Sequence, residues 1–412
     1  MGRSRLHLIF IPVFLLSAFP AWALTLSEAL SIAASHPALL ESRLNIDQTG
    51  ASATDAGKRG PDAISFEAEN VSGNLPGFSN ADLTVSFKRP LLTGGKATAQ
   101  KRLAAMSIDE AKIELSALKR EILLRVQAAF HKVIGLQNLC RNAQEITQLN
   151  VSMHETTKIR VEAGAGPEQE LLKAQLDIDR VEADRKNLEG QLTEAVLALC
   201  REMGLKEDSR IEVVGTLTSD ITLPPLAQLQ QKILETHPVF LTVAQNVKVN
   251  QAQAEFLKAE NRTSYNWVAG VRNFRESANN AFVFAIEADL PNKESNQGAR
   301  NAAVIERTKL EATREKARRE LFTALQEQVK RFERSQSTVS TLRQAILPKA
   351  QKNLEMAIDG YRLGKTDQIV VLEARKSYAE VTRQSLAALS ELYEAIDAIE
   401  QLSGVCLVGE HH

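Results

Sequence analysis

The chain has 412 residues, 25% of them charged and only 5% aromatic, with a formal net charge of −1. The balance of 50 basic against 51 acidic residues excludes a global basic field for nucleic acid. Scarce aromatics beside abundant Ala, Leu, Glu, Gln, Lys and Arg argue against ordinary globular domains and point to long helices.

Residues 1–23 read as a secretory signal peptide. Arg3 and Arg5 precede an apolar core from Leu6 to Ala18, and Ala21-Trp22-Ala23 forms a small-x-small cleavage site. No cysteine near the cut suggests lipidation. Beyond Ala23 no apolar run approaches the length of a spanning helix, so any membrane crossing is not helical.

A helix is expected over Leu26–Lys58, then strands near Ala63–Val71 and Ala81–Arg89. Pro90 is expected to stop the second strand, and Gly94 and Gly95 to let the chain turn. From Lys96 to Glu162 the pattern is helical without interruption, which at about 1.5 Å per residue gives a rod of roughly 100 Å. Its apolar seam (Leu115, Leu118, Ile122, Val126, Ala129, Val133, Leu136, Cys140, Ala143) steps by threes and fours, with one stutter. Such a rod packs lengthwise against other helices. A glycine turn at Gly164 and a helix over Glu168–Met203 complete the unit.

The same order then repeats. A helix is expected at Leu226–Asn261, strands at Tyr265–Phe274 and Ala281–Leu290, a second giant helix at Gln297–Leu363, a turn at Gly364 and a last helix at Asp367–Leu402. Pro37 and Pro238, within "SHPALL" and "THPVFL", stand 201 residues apart, as do Pro90 and Pro291. Gly164 and Gly364 are 200 apart, as are Gly204 and Gly404. One offset at four landmarks means two tandem copies, expected at 24–215 and 216–404, with a tail at 405–412. Chain direction makes the two shorter helices of each copy antiparallel to the giant one, stacked end to end along it.

The strands alternate. Ile64, Phe66 and Ala68 oppose Ser65, Glu67 and Glu69; Leu83, Val85 and Phe87 oppose Thr84, Ser86 and Lys88; Phe282, Phe284 and Ile286 oppose Val283, Ala285 and Glu287. Tyr265, Trp267 and Ala269 share a face. Periodicity alone suits a soluble sheet on a core as well as a membrane strand. Topology separates the two in one respect: four strands cannot close a barrel, and open edges are forbidden in lipid. Strands in a membrane would require several chains to share one barrel.

No catalytic constellation is present: no Ser/His/Asp set, no HExxH and no phosphate loop. His36 and His237 precede the repeated prolines and read as helix-kink residues. The closing "EHH" reads as a solvated tail. Cys140, Cys200 and Cys406 fit no zinc or redox spacing; Cys140 and Cys200 fall in helical patterns and read as buried small apolar residues rather than a bridge.

The "HP" pairs, "FKRPLLTGGK", "LPNKESNQGARNAA", "ILPKAQKNLEMAIDGYRLGK", and "LKAQLDIDR" with "LEARKSYAE", in this order and spacing, resemble the outer-membrane efflux (TolC-like) channel family over essentially the whole mature chain. Within it they are most similar to the heavy-metal efflux (CzcC-like) outer-membrane components. The resemblance implies a mainly α fold with a small β part: a long α-helical hairpin barrel in the periplasm plus four transmembrane β-strands per chain, a homotrimer sharing a 12-stranded barrel. It implies no enzyme activity and no cofactor or metal site.

The implied function is the outer-membrane exit duct of a tripartite efflux pump in a Gram-negative bacterium. It would export heavy-metal cations, dock a periplasmic adaptor (membrane fusion) protein, and reach an inner-membrane transporter through it. Small organic or multidrug efflux and type I secretion are the alternatives within the family, and a periplasmic coiled-coil scaffold without transport is the alternative outside it. By resemblance the adaptor meets Gly164, Ala165, Arg362, Leu363, Gly364 and Lys365 at the hairpin tips. The pore gate falls to Glu373, as a carboxylate ring, and to a Tyr361–Glu170 latch in which Thr366 replaces the usual arginine; Val370 stands where a second acid often lies. Glu67, Glu69, Lys88 and Glu287 are assigned to the barrel lumen.

Overall fold

The computed structural model describes residues 23–71, 81–206, 211–291 and 296–407. Residues 1–22, which hold most of the expected signal peptide, the polar join at 292–295 and the end of the tail at 408–412 lie outside the described residues.

In chain order the elements are β1 (Ala23–Leu24), α1 (Leu26–Ala33), α2 (Pro37–Ala53), β2 (Ala63–Glu69), β3 (Asp82–Leu91), α3 (Lys96–Glu162), α4 (Glu168–Glu202) and β4 (Glu212–Val213). Then follow α5 (Leu226–Thr236), α6 (Pro238–Glu260), β5 (Ser264–Phe274), β6 (Asn279–Asp289), α7 (Gln297–Thr341), a π-turn (Leu342–Ile346), α8 (Leu347–Arg362) and α9 (Gln368–Ser403).

Helix α3 runs its full 67 residues unbroken. At its strand end it packs beside α2 and α6; toward its far end it packs beside α4 and α9. It is the spine between the two copies. The main core lies at mid-length, where Ile122, Val126, Phe130 and Val133 of α3 meet Leu199 of α4 and Met203 just after it, Leu229 and Ile233 of α5, Leu325 and Phe332 of α7, and Leu392, Ile396 and Ile399 of α9. The α3 seam is thus buried most deeply at its middle, and Leu115, Leu118, Ala129 and Leu136 flank that core as half-buried neighbours.

Four expectations are corrected. The first helix of each copy is two helices, broken at His36-Pro37 and His237-Pro238, because each proline sits at the first helical position, where its missing N–H costs nothing. Helix α2 also ends at Ala53 rather than Lys58. The second giant helix is interrupted by the π-turn just before Pro348, where the wider turn relieves the clash of the proline ring with the carbonyl four residues back.

Pro90, finally, does not stop its strand. It pairs with Asn266 inside β3, which continues to Leu91. Strand β2 begins at Ala63, opposite Lys88, so beyond that point β3 has a neighbour on one side only, and a residue without an N–H is tolerated there.

All four long strands join one antiparallel sheet in the order β2-β3-β5-β6, with the copies meeting at β3–β5. Strands β2 and β6 are left as unpaired edges.

Candidate functional site

The sheet has two chemically distinct faces. Directly paired residues of an antiparallel ladder point the same way, so the register aligns Phe66, Val85, Val271 and Phe282 in one row and Ile64, Phe87, Ala269 and Phe284 in the next. These apolar rows have nothing over them: Phe66 is 78% exposed, Phe282 80% and Phe284 78%. The opposite face carries Glu67, Thr84 and Arg272 in one row and Ser65, Ser86 and Gly270 in another.

Glu67, Glu69, Lys88 and Glu287, assigned to a lumen from the sequence, all lie on this polar face. Lys88 pairs with Glu287, and Arg272 with Glu69 at 2.9 Å; Arg272 also donates to the Thr84 hydroxyl at 2.9 Å. Arg272, which the sequence reading did not single out, belongs to this set. Its place in the alternation of β5 is the signal that would have found it. Gly270 is required here, because a Cβ would lie 2.6 Å from the Val85 carbonyl oxygen.

The far ends of the hairpins α3/α4 and α8/α9 are near copies of each other. Gly164 and Gly364 have φ of 72° and 69°. Ala165 N–H donates to the Arg160 carbonyl and Lys365 N–H to the Gly360 carbonyl, both at 2.8 Å. Gly164 N–H donates to Val161 O and Gly364 N–H to Tyr361 O. These are paired Schellman caps, which use a left-handed glycine to satisfy the last carbonyls of a helix. Gly164, Ala165, Arg362, Leu363, Gly364 and Lys365 are all exposed, and Leu363 offers 68% of its surface to solvent. Apart from the chain neighbours, no atom of the described residues lies within 4 Å of the Cβ position of either tip glycine.

Above the tips the two hairpins are tied together, by other residues than those expected. Tyr361 is buried at 2% exposure and its hydroxyl has no partner among the described residues, so it is not bonded to Glu170. The Arg160 guanidinium instead covers its ring at 4.2 Å and donates to the Tyr361 carbonyl at 3.3 Å. Thr366 donates back to the Ala357 carbonyl at 3.4 Å, within its own hairpin. Glu170 takes part through its backbone: the buried Gln368 amide donates to the Glu170 carbonyl at 3.3 Å and to Thr157 at 3.2 Å.

The deepest tie is Arg375 to Asp177, 3.0 Å apart and 6% and 7% exposed. Burial lowers the pKa of Arg375 and the Asp177 carboxylate opposes that shift; the guanidinium stays charged. Asn150 donates to the Asp177 carbonyl at 3.1 Å. Glu373, two residues before Arg375, points away from this seam and is exposed. Asp177 and Arg375 lie inside "LKAQLDIDR" and "LEARKSYAE" but are not equivalent positions of the two copies, so the repeat could not pair them.

His36 and His237 are caps rather than ligands. Their Nδ1 atoms accept the N–H of Ala38 at 3.1 Å and of Val239 at 3.3 Å. Among the described residues no group of three or more His, Cys, Asp or Glu is placed to hold a metal. No disulfide joins the three cysteines; Cys200 is buried, Cys140 half-buried and Cys406 exposed.

Comparison with known proteins places this architecture. The model of the outer membrane efflux protein family matches the chain twice, over residues 29–205 and 229–405. The cobalt-zinc-cadmium resistance protein CzcC of Cupriavidus metallidurans is 24% identical over 325 residues, 78% of this chain and 77% of that protein. Among solved structures, the outer membrane protein VceC of Vibrio cholerae superposes with a TM-score of 0.73 at 18% identity, covering 92% of this chain and 96% of VceC. CusC, described for its transmembrane channel formation, superposes with a TM-score of 0.72 at 17% identity, covering 91% of this chain and 90% of its own.

Proposed function

The chain belongs to the outer membrane efflux protein family, and from that premise we propose that it is the exit duct through which a tripartite pump expels divalent heavy-metal cations. Its place is the outer membrane, with the helical part in the periplasm, and its work is that of a channel and not of an enzyme. The observation that carries the reading is the two-faced open sheet. An apolar face of exposed phenylalanines backs a charged one, on strands of up to 11 residues, which matches the hydrocarbon slab.

The sheet cannot stand alone in lipid, where every unpaired N–H or C=O is costly. Edge β6 of one protomer pairing with edge β2 of the next closes a barrel of three chains. The helices end at the same two flanks: α2 leaves Leu40 and Leu44 exposed, and α7 leaves Val304 and Ile305. A neighbouring copy would cover both pairs.

The duct is gated at the tips. For the pore to widen, hairpin α8/α9 must move relative to α3/α4, and the ties in its way are Arg160–Tyr361, Gln368–Thr157/Glu170 and Arg375–Asp177. Glu373, exposed near the tip on α9, supplies a carboxylate ring in a trimer. The glycine tips, with Leu363 and Lys365, dock the periplasmic adaptor. Metal as cargo is supported by the likeness to a cobalt-zinc-cadmium resistance protein and by the acidic gate position.

The test is a deletion strain plated on cobalt, zinc and cadmium and on a panel of organic toxicants. Restored metal tolerance from the cloned gene supports metal efflux. Restored tolerance to organics alone reassigns the cargo. Loss of the protein from carbonate-washed membranes would favour a scaffold.

A further inference from the structure

On the apolar face of the sheet, one strand residue is charged: Arg89. The register puts it directly opposite Trp267, whose own partner on β6 is Ile286. Its guanidinium lies over the rings of Phe87, at 5.1 Å, and Trp267, at 5.9 Å, and those two rings are 5.7 Å apart. Nε and Nη2 donate to the two oxygens of Asp62 at 3.2 and 2.8 Å. Arg59 reaches the same carboxylate, with Nη2 3.5 Å from Oδ2. Two guanidinium groups thus share one carboxylate, leaving a net positive charge. Tyr265, exposed, stands next on the same face of β5, opposite Leu91.

The position of the cluster is fixed by topology. Arg89 lies near the end of β3, shortly before α3 begins, Asp62 precedes β2, and Tyr265 and Trp267 lie at the start of β5 just after α6. All lie at the helical end of the strands, where the lipid-facing surface meets the periplasmic head groups. A charge on that face, flattened against aromatic rings, is suited to the interface and not to the hydrocarbon.

We propose that Arg59 and Arg89, backed by Phe87, Trp267 and Tyr265, form a binding site for the phosphodiester of an anionic phospholipid in the periplasmic leaflet. Asp62 holds the two guanidinium groups side by side. Arg59 is the mobile contributor, since its one ion pair is long and its residue exposed. The aromatic rings take the glycerol and upper acyl region, and the remaining N–H donors take the phosphate oxygens. The site stands on the outer-membrane location alone, so it holds whatever the cargo.

The chain carries its own probe, because Trp267 is one of only two tryptophans, the other being Trp22 in the leader. The full chain is made with Trp22→Phe, purified in mild detergent, and its fluorescence titrated with tail-brominated phosphatidylglycerol or phosphatidylcholine. The expected result is stronger, saturable quenching by phosphatidylglycerol, with the preference falling about fivefold for each charge removed in Arg59→Gln and Arg89→Gln. Arg59→Gln guards against misfolding, because it alters one exposed residue outside the sheet. Equal quenching by the two lipids, or an unchanged preference in Arg59→Gln with Arg89→Gln, overturns the proposal. Competition by inorganic phosphate at the same concentration would also overturn it, by making this a free-anion site.

Discussion

Arg375 of α9 and Asp177 of α4 form an ion pair with Nη2 and Oδ2 at 3.0 Å, almost wholly shielded from solvent, across the two hairpins of one chain. A buried pair is weak evidence for net stability, because desolvation cancels most of the attraction. Its effect is asymmetric: removing one partner strands the other. On the gating proposed above, it is the lock that must release before the two hairpins part.

Asp177→Asn or Arg375→Leu, made singly, is therefore expected to destabilise the hairpin ends by ~3–5 kcal/mol and to raise the conductance of the closed channel. The double change to Leu at both positions should recover most of the stability while leaving the pore leaky. Thermal unfolding and single-channel recording in planar bilayers check the two effects separately. Single variants with wild-type closure would remove the pair from the gate.

Glu373 is predicted to act on ions rather than on stability, because it is exposed. Glu373→Ala should leave the melting temperature unchanged and weaken cation preference in an asymmetric salt gradient. Three carboxylates drawn together attract cations and repel one another. An unaltered reversal potential would assign this residue to an ordinary solvated helix face.

The two faces of β6 predict opposite tolerances at adjacent positions. Phe284→Lys places a charge on the lipid face, at an expected cost of about 2–4 kcal/mol near mid-membrane. Val283→Lys, on the polar face, should be accepted. Carbonate-resistant protein in the outer-membrane fraction, compared for the two variants, is the readout. Equal loss would mean that the sheet does not face lipid.

His237 predicts a pH dependence. Burial, reinforced by the charge of Arg120, lowers its pKa to about 4 from an ordinary 6.5. Between those values the unfolded chain binds the proton and the folded chain does not. The stability from the neutral ring is therefore full above about pH 6.5 and is lost as pH falls toward about 4. Protonation also costs the cap, because Nδ1 accepts the Val239 N–H only when unprotonated. His237→Asn, another good N-cap, should flatten the melting-temperature profile across that window, while His237→Ala should lower it at every pH.

Gly364→Ala tests whether the tip is a geometric element. At φ of 69° a Cβ is strained by about 1–2 kcal/mol though nothing lies near it. A loss of adaptor affinity larger than the loss of stability would show that the turn's shape is recognised. Equal losses would confine the glycine to capping.

Much of this protein was legible from its sequence, because periodicity and punctuation are local. The 67-residue length of α3 follows from an uninterrupted seam with no proline. The strands followed from alternation, the reversals from glycines that must adopt positive φ, and the duplication from landmarks at a constant offset. Even the membership of the sheet's polar face was readable, because side chains alternate strictly along a strand.

Other features depended on distances that no local pattern encodes. Pro90 reads as a strand terminator in isolation, and it lies within β3 only because β2 has not yet begun beside it. The helix breaks at His36 and His237 came from prolines, but the capping role of the imidazoles came from rotamers. The ties between the two hairpins were the least legible. By resemblance Tyr361 was expected to meet Glu170, yet Arg160, 201 positions away in the chain, lies over the tyrosine ring and donates to its carbonyl. The sequence alone determined the parts, their order and their lengths, since these rest on interactions within a few residues. Only the tertiary structure decided which charged groups meet, because a buried ion pair is selected by the space and dielectric around it.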